Sequence, residues 1–175
     1  DRALRIVERK FGSIPRPKRT GQNTIWDTYT REPAQDGERQ VTLRRVGDVQ
    51  ALAVSYHVPP SSHPDYAAVR LLAEILGSAP SGRLHRALVE PGLAASVSST
   101  TYSFSEPTVL LARASVRMEQ SLATAERVML ATLDSLAIAP PTAEEVERAR
   151  AARLKQFDLL LTESDGVGLT LSEPA

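Results

Sequence analysis

Apolar residues recur with two periods along the chain, and the changes of period mark its elements. Leu4, Val7 and Phe11 fall on one helical stripe, with Arg5, Glu8 and Arg9 on the other side, so residues 2–11 are expected to form a helix. Gly12 stops it, and Pro15 and Pro17 keep it stopped. Residues 15–38 are rich in Pro, Thr, Gly and charge and read as a linker. Trp26 and Tyr29 interrupt it. A free linker rarely carries a Trp, so Thr24 to Thr30 is a candidate edge strand clamped onto a domain.

From Arg39 the period becomes two. Val41 and Leu43 alternate with Thr42 and Arg44, Gly47-Asp48 is a turn signal, and Leu52, Val54, Tyr56 and Val58 alternate with Ala51, Ala53, Ser55 and His57. The pattern predicts a hairpin with strands at 39–46 and 50–58, ended by Pro59-Pro60. Ser62-His63-Pro64-Asp65 then opens a helix: Ser62 can cap, Pro64 has no amide hydrogen to lose, and Asp65 sits near the positive helix end. Ala68, Leu71, Leu72 and Ile75 are its expected buried face, and Gly77 ends it. A short helix from Gly82 to Glu90 turns Leu84 and Leu88 inward and stops at Pro91-Gly92.

Residues 94–104 and 108–116 form a second predicted hairpin, turned at Ser105-Glu106-Pro107 because proline cannot donate to a ladder. A helix over 119–137 carries Leu122, Ala125, Met129, Leu133 and Leu136 in one stripe and is broken by Pro140-Pro141. Thr142-Ala143-Glu144-Glu145 is a capping box, and the last long helix carries Val146, Ala149, Leu154, Phe157, Leu160 and Leu161. The order is strand–strand–helix–helix–strand–strand–helix–helix. That is an α+β fold with an antiparallel-rich sheet and helices packed on one face.

Composition narrows the functions open to such a fold. The 175 residues suit one domain, or one domain with a fragment of another. Lys+Arg and Asp+Glu both number 21, so the balance gives no electrostatic footprint for nucleic acid or anionic lipid. No apolar run approaches the length of a membrane span. There is no cysteine, which excludes disulfides, thiolate nucleophiles and iron–sulfur clusters. The chain starts at Asp1 and not at Met, and the expectation is that residues 1–14 are the tail of a preceding domain, 15–38 the linker, and 39–175 the domain proper.

The residue types that carry chemistry are scattered. His57 and His63 are separated by Pro59 and Pro60, and no helix presents two histidines on one face as a zinc-binding helix does. His85 lies between Arg83 and Arg86 with no carboxylate or nucleophile placed to use it. Glu144, Glu145 and Glu147 suit a helix start, and Arg148, Arg150 and Arg153 follow at pairing distance to make a solvated charged face. Ser98, Ser99, Thr100 and Thr101 sit in a strand without a base, and Gly77, Gly82 and Gly92 lack phosphate-loop spacing. The residues alone therefore describe a scaffold or interaction domain, or the part of an enzyme whose chemistry lies elsewhere. No catalytic or metal-ligating residue is assigned.

The stretch from Asp65 to Val97 has a more specific pattern. A helix ends in Leu76-Gly77, Ser81-Gly82-Arg83-Leu84 follows, and Leu88-Val89-Glu90-Pro91-Gly92-Leu93-Ala94 leads into a strand. This resembles the second, non-zinc domain of the pitrilysin/insulinase family of zinc metallopeptidases, which includes the mitochondrial processing peptidase. Phe11-Gly12-Ser13-Ile14-Pro15 is similar to the end of the family's first domain, and Thr142 to Ala149 to the start of its last helix. The resemblance implies one half of a metallohydrolase-type repeat. It places zinc, a His-x-x-Glu-His motif and a distal Glu in the domain before this one, with the metal activating a water. The partners it implies are that zinc-bearing domain, or a subunit carrying it, and a peptide or unfolded protein. This chain would wall one side of the substrate chamber.

In many members a non-zinc domain adds an Arg and a Tyr to substrate binding. Val89 and Ala95 stand at the matching positions here, and neither side chain can bond a peptide carbonyl or an oxyanion. The departure fits a long two-half member whose later half supplies both groups, with Gly166 to Glu173 as a helix cut short. Large bacterial members of the family suggest a periplasmic address. Two other readings stay open: a structural subunit of the same fold that lost its zinc site, and an unrelated α+β binding module.

Overall fold

A computed structural model describes residues 2–15, 35–104, 106–162 and 167–168. The chain divides into two compact units, Asp1–Arg44 and Arg45–Ala175. In the first, helix α1 (Arg2–Phe11) spans the predicted residues and buries none of them. The candidate strand at Thr24 to Thr30 lies outside the described residues, as does most of the predicted linker.

The second unit holds the sheet. Strands β1 (Val49–Val58), β2 (Ser96–Thr101) and β3 (Thr108–Arg117) lie in the order β1-β3-β2, antiparallel throughout. Val49 pairs with Arg117 and Val58 with Thr108, while Ser96 pairs with Ser115 and Thr101 with Leu110. The predicted second hairpin is therefore present. The first is not: residues 39–46 adopt no strand, and Val41, Leu43 and Val46 are exposed at 81%, 78% and fully. Period-two patterning defines a face but names no partner, and β1 takes its ladder from β3.

One face of the sheet is covered. Helix α2 (Tyr66–Gly77) packs on β2, helix α3 (Leu122–Asp134) packs on β1, and a π-helical turn (His85–Val89) lies between β2 and α3. Leu76, Leu84, Leu88, Val116 and Met129 are completely enclosed at this junction. Each such side chain contributes roughly 1.5–3 kcal/mol by leaving water. The α3 stripe falls as predicted, with Ala125, Met129 and Leu133 buried and Leu122 and Leu136 packed beside them. Helix α2 buries Ile75 and packs Leu72 on the core as expected, but its buried surface is wider than the predicted stripe. Tyr66, Ala73, Ile75 and Leu76 are buried, whereas Ala68 is exposed, because α2 must satisfy both β2 and a second helix behind it.

That second helix is α4 (Ala143–Leu161). Thr142 and Glu145 close the predicted capping box: the Thr142 hydroxyl accepts from Glu145 N–H at 3.2 Å, and the Glu145 carboxylate accepts from Thr142 N–H at 2.9 Å. Only Glu145 and Ala149 of α4 are buried. Leu154, Phe157 and Leu161 are each about half-exposed on one stripe of its far end. Gly77 marks the tightest contact in the unit. A Cβ there would collide with the backbone nitrogen of Ser99, so α2 can end against β2 only with no side chain at this position.

Candidate functional site

The best-organised polar site joins the π-helical turn to the start of α4. Arg83 grips Glu145 with two nitrogens, Nε to Oε1 at 2.9 Å and Nη2 to Oε2 at 2.7 Å. Its Nη1 donates to the Ala139 carbonyl at 2.6 Å and Nη2 also to the Pro140 carbonyl at 3.1 Å. The two side chains are only 14% and 10% exposed, and Arg86 approaches Glu145 at 3.4 Å from the solvent side. An open cleft of about 590 Å³ lies over them, also lined by Arg148 and Thr142. Hydrogen bonds from Arg83 lower the Glu145 pKa to about 2, helped by the Thr142 N–H and opposed by burial. A carboxylate so held cannot exchange protons near neutrality, and four of the five Arg83 N–H groups are engaged. The site is a clamp that fixes the loop before α4, not a general acid or base.

The remaining candidate groups stay apart. His57 ends β1 on an exposed face, and His63 precedes α2 with Nδ1 accepting the Asp65 N–H at 3.2 Å. His85 sits in the π-helical turn, where Nδ1 is enclosed without a hydrogen-bond partner. Among the described residues, no group of three His, Asp or Glu side chains is placed to hold a metal ion. The described residues do not fit zinc. The hydroxyl run of β2 is split by the pleat: Ser98 and Thr100 are exposed, while the Ser99 and Thr101 oxygens are buried on the covered side without partners. Glu144 pairs with Arg148 and Glu147 with Arg150 on the outer side of α4, as the spacing predicts. Val89 closes the π-helical turn half-buried. Ala95 lies exposed just before β2, its N–H donating to the Ser115 carbonyl at 2.7 Å.

Among the described residues of the second unit, no helix covers the other side of the sheet. Ala51, Ala53, Ser55 and His57 of β1 are exposed there, as are Ser96, Ser98 and Thr100 of β2. The register also puts Val49, Val109, Leu111 and Ser115 on this face, with Arg113 and Arg117 of β3 exposed among them. The register sets Arg113 between Ala53 on one side and Ser98 on the other. Just past β2, Tyr102 and Phe104 stack with ring centroids 5.8 Å apart, both exposed. Sequence reading passed over this surface, since the two arginines look like ordinary solvated positions until the pleat puts them on one face.

The model of the peptidase M16 inactive domain matches residues 1–153 of the chain. The chain belongs to the peptidase M16 inactive-domain family. It is 26% identical over 171 residues to the zinc protease PqqE of Helicobacter pylori, a match that covers 96% of this chain and 38% of that protein. Among solved structures, it is similar to the inactive peptidase domain of a Bordetella parapertussis protein named as a zinc protease. There the identity is 37%, the TM-score 0.68, and the coverage 76% of this chain and 73% of that one. A protease from Helicobacter pylori shares the fold with a TM-score of 0.82 at 23% identity, over 95% of this chain and 40% of that one. The resemblance to a non-zinc peptidase domain holds, and so does the α+β class. This M16 inactive domain spans well under half the length of its curated relative.

Proposed function

We propose that this M16 inactive domain forms one wall of the substrate chamber of a zinc endopeptidase and positions an unfolded peptide for a zinc site in a preceding domain. The observation that carries the reading is the uncovered sheet face. Alanines and hydroxyls alternate on it with Val49, Val109, Leu111 and two arginines, and it is set on a fold whose 37%-identical neighbour is named as an inactive peptidase domain. The short side chains of β1 and β2 that flank β3 let an extended chain lie close without a fixed sequence. Val89 and Ala95 offer no side-chain donor to an oxyanion, so the contribution is binding and orientation and not transition-state charge stabilisation. Residues 1–14 would then belong with the zinc domain and 15–38 with the connection between the two.

The test is a comparison of the full-length parent with its first domain alone. Both are assayed for bound zinc and for hydrolysis of an unfolded protein. The expected result is one zinc per chain in each, with turnover lowered at least tenfold when this domain is missing. A parent that holds no zinc and cleaves nothing would replace the reading with that of a structural subunit.

A further inference from the structure

The uncovered sheet face is not electrically neutral, although the chain is. Arg113 and Arg117 both stand on it, and no aspartate or glutamate occupies any position of this face in β1, β2 or β3. Four arginines elsewhere in the unit, Arg83, Arg86, Arg148 and Arg150, each have a carboxylate within ion-pair distance. Arg113 and Arg117 have no such partner among the described residues. Four residues along one strand separates them by about 13 Å, the span of four residues of an extended ligand.

We infer that the face seats an extended acidic segment of a polypeptide, with Arg113 as the principal contact and Arg117 as the second. Charge complementarity names the occupant. Arg113 is flanked across the ladder by the short side chains of Ala53 and Ser98, which leaves room for a chain to lie flat and for its carboxylates to meet the guanidinium. The same face repels a cationic segment, which has no carboxylate to meet. The stacked Tyr102 and Phe104 lie beyond the Thr100 end of the row and suit an apolar residue of the same ligand. The inference deepens the chamber-wall reading and rests on it, since it names the substrate class that the wall selects.

The experiment uses the whole 175-residue chain and labelled unstructured peptides of Ser, Ala and Thr. One peptide carries two glutamates four residues apart, and the others carry glutamine or lysine at the same places. Fluorescence anisotropy at low salt should give at least tenfold tighter binding for the glutamate peptide, with the advantage shrinking as salt rises. Arg113→Gln should bring the glutamate peptide to the level of the glutamine one. Arg117→Gln should do so in part, and Arg150→Gln on α4 should change nothing. Circular dichroism confirms that each exposed-site variant keeps the fold. Equal affinity for the glutamate and glutamine peptides, or a loss caused by Arg150→Gln as large as that caused by Arg113→Gln, would overturn the inference. Hydrolysis by the two-domain parent that requires this domain but ignores peptide charge would overturn it while leaving the wall standing.

Discussion

Replacing Glu145 by glutamine removes a charge while nearly keeping the shape, so it isolates what the clamp contributes. A carboxyl held at about 2 against an ordinary 4.5 contributes, by proton linkage, roughly 3 kcal/mol to folding above both values. The pair opens on one side to a cleft where water and Arg86 reach it, which screens the interaction. The expected loss for Glu145→Gln at neutral pH is therefore about 2 kcal/mol, most of it the unpaired charge left on Arg83. The pH dependence gives the sharper signature. The folded-state pKa is depressed, so the stabilisation is complete above about pH 4.5 and drains away as the pH falls toward about 2. The variant has no proton to bind there, and the gap between the two proteins should close over that window. Urea unfolding followed by far-ultraviolet circular dichroism, at several pH values between about 7 and 2, measures it. A gap below about 0.5 kcal/mol at neutral pH, or one that does not change with pH, would refute the reasoning.

Thr142→Ala breaks the other half of the capping box and should cost about 1 kcal/mol in the same assay. Gly77→Ala forces a Cβ into the Ser99 backbone and should cost about 1–3 kcal/mol. Because the obstacle is a main-chain atom, Ser99→Gly should fail to rescue it. Met129→Ala empties an enclosed site between α3 and the sheet and should lower stability by about 2–5 kcal/mol, seen as a drop in melting temperature. Elemental analysis of the chelator-treated chain after incubation with zinc should find no stoichiometric metal, since His57, His63 and His85 lie on three separate segments.

What the sequence revealed was local. The Thr142 capping box, the inward Leu84 and Leu88, and the hairpin around Pro107 depend on residues within a few positions of one another. The resemblance to a non-zinc peptidase domain rested on local motifs of the same kind. What it hid was non-local. Val41 and Leu43 alternate as a strand should, yet alternation cannot say whether a neighbour will supply the ladder. Arg83 stands out in the sequence only as part of the Ser81-Gly82-Arg83-Leu84 element, and its partner is 62 residues away. Glu145 was legible only as a helix-start carboxylate, one of its two roles. On α2 the buried surface is wider than the stripe because two surfaces, not one, claim the helix, and a single hydrophobic face cannot encode both. The arginines of the open face were invisible for a related reason. Arg113 and Arg117 carry no motif, and only the strand register shows that they share one open face.

The partnership of β1 with β3 also sets an order of events at the ribosome. The chain emerges from its N-terminal side, so β1 is made before the strand that completes it. Val58 must wait for Thr108, about 50 residues later, and at about 5–20 residues per second the delay is roughly 3–10 seconds. During that interval Leu52, Val54 and Val58 have neither ladder nor core, while β2 and β3 can zip together as soon as both have appeared. The nascent chain therefore passes through a stage in which the first strand of its sheet waits longest for a partner. Crowded synthesis would be punished at that stage, and a holding chaperone acting on β1 would have its greatest effect there.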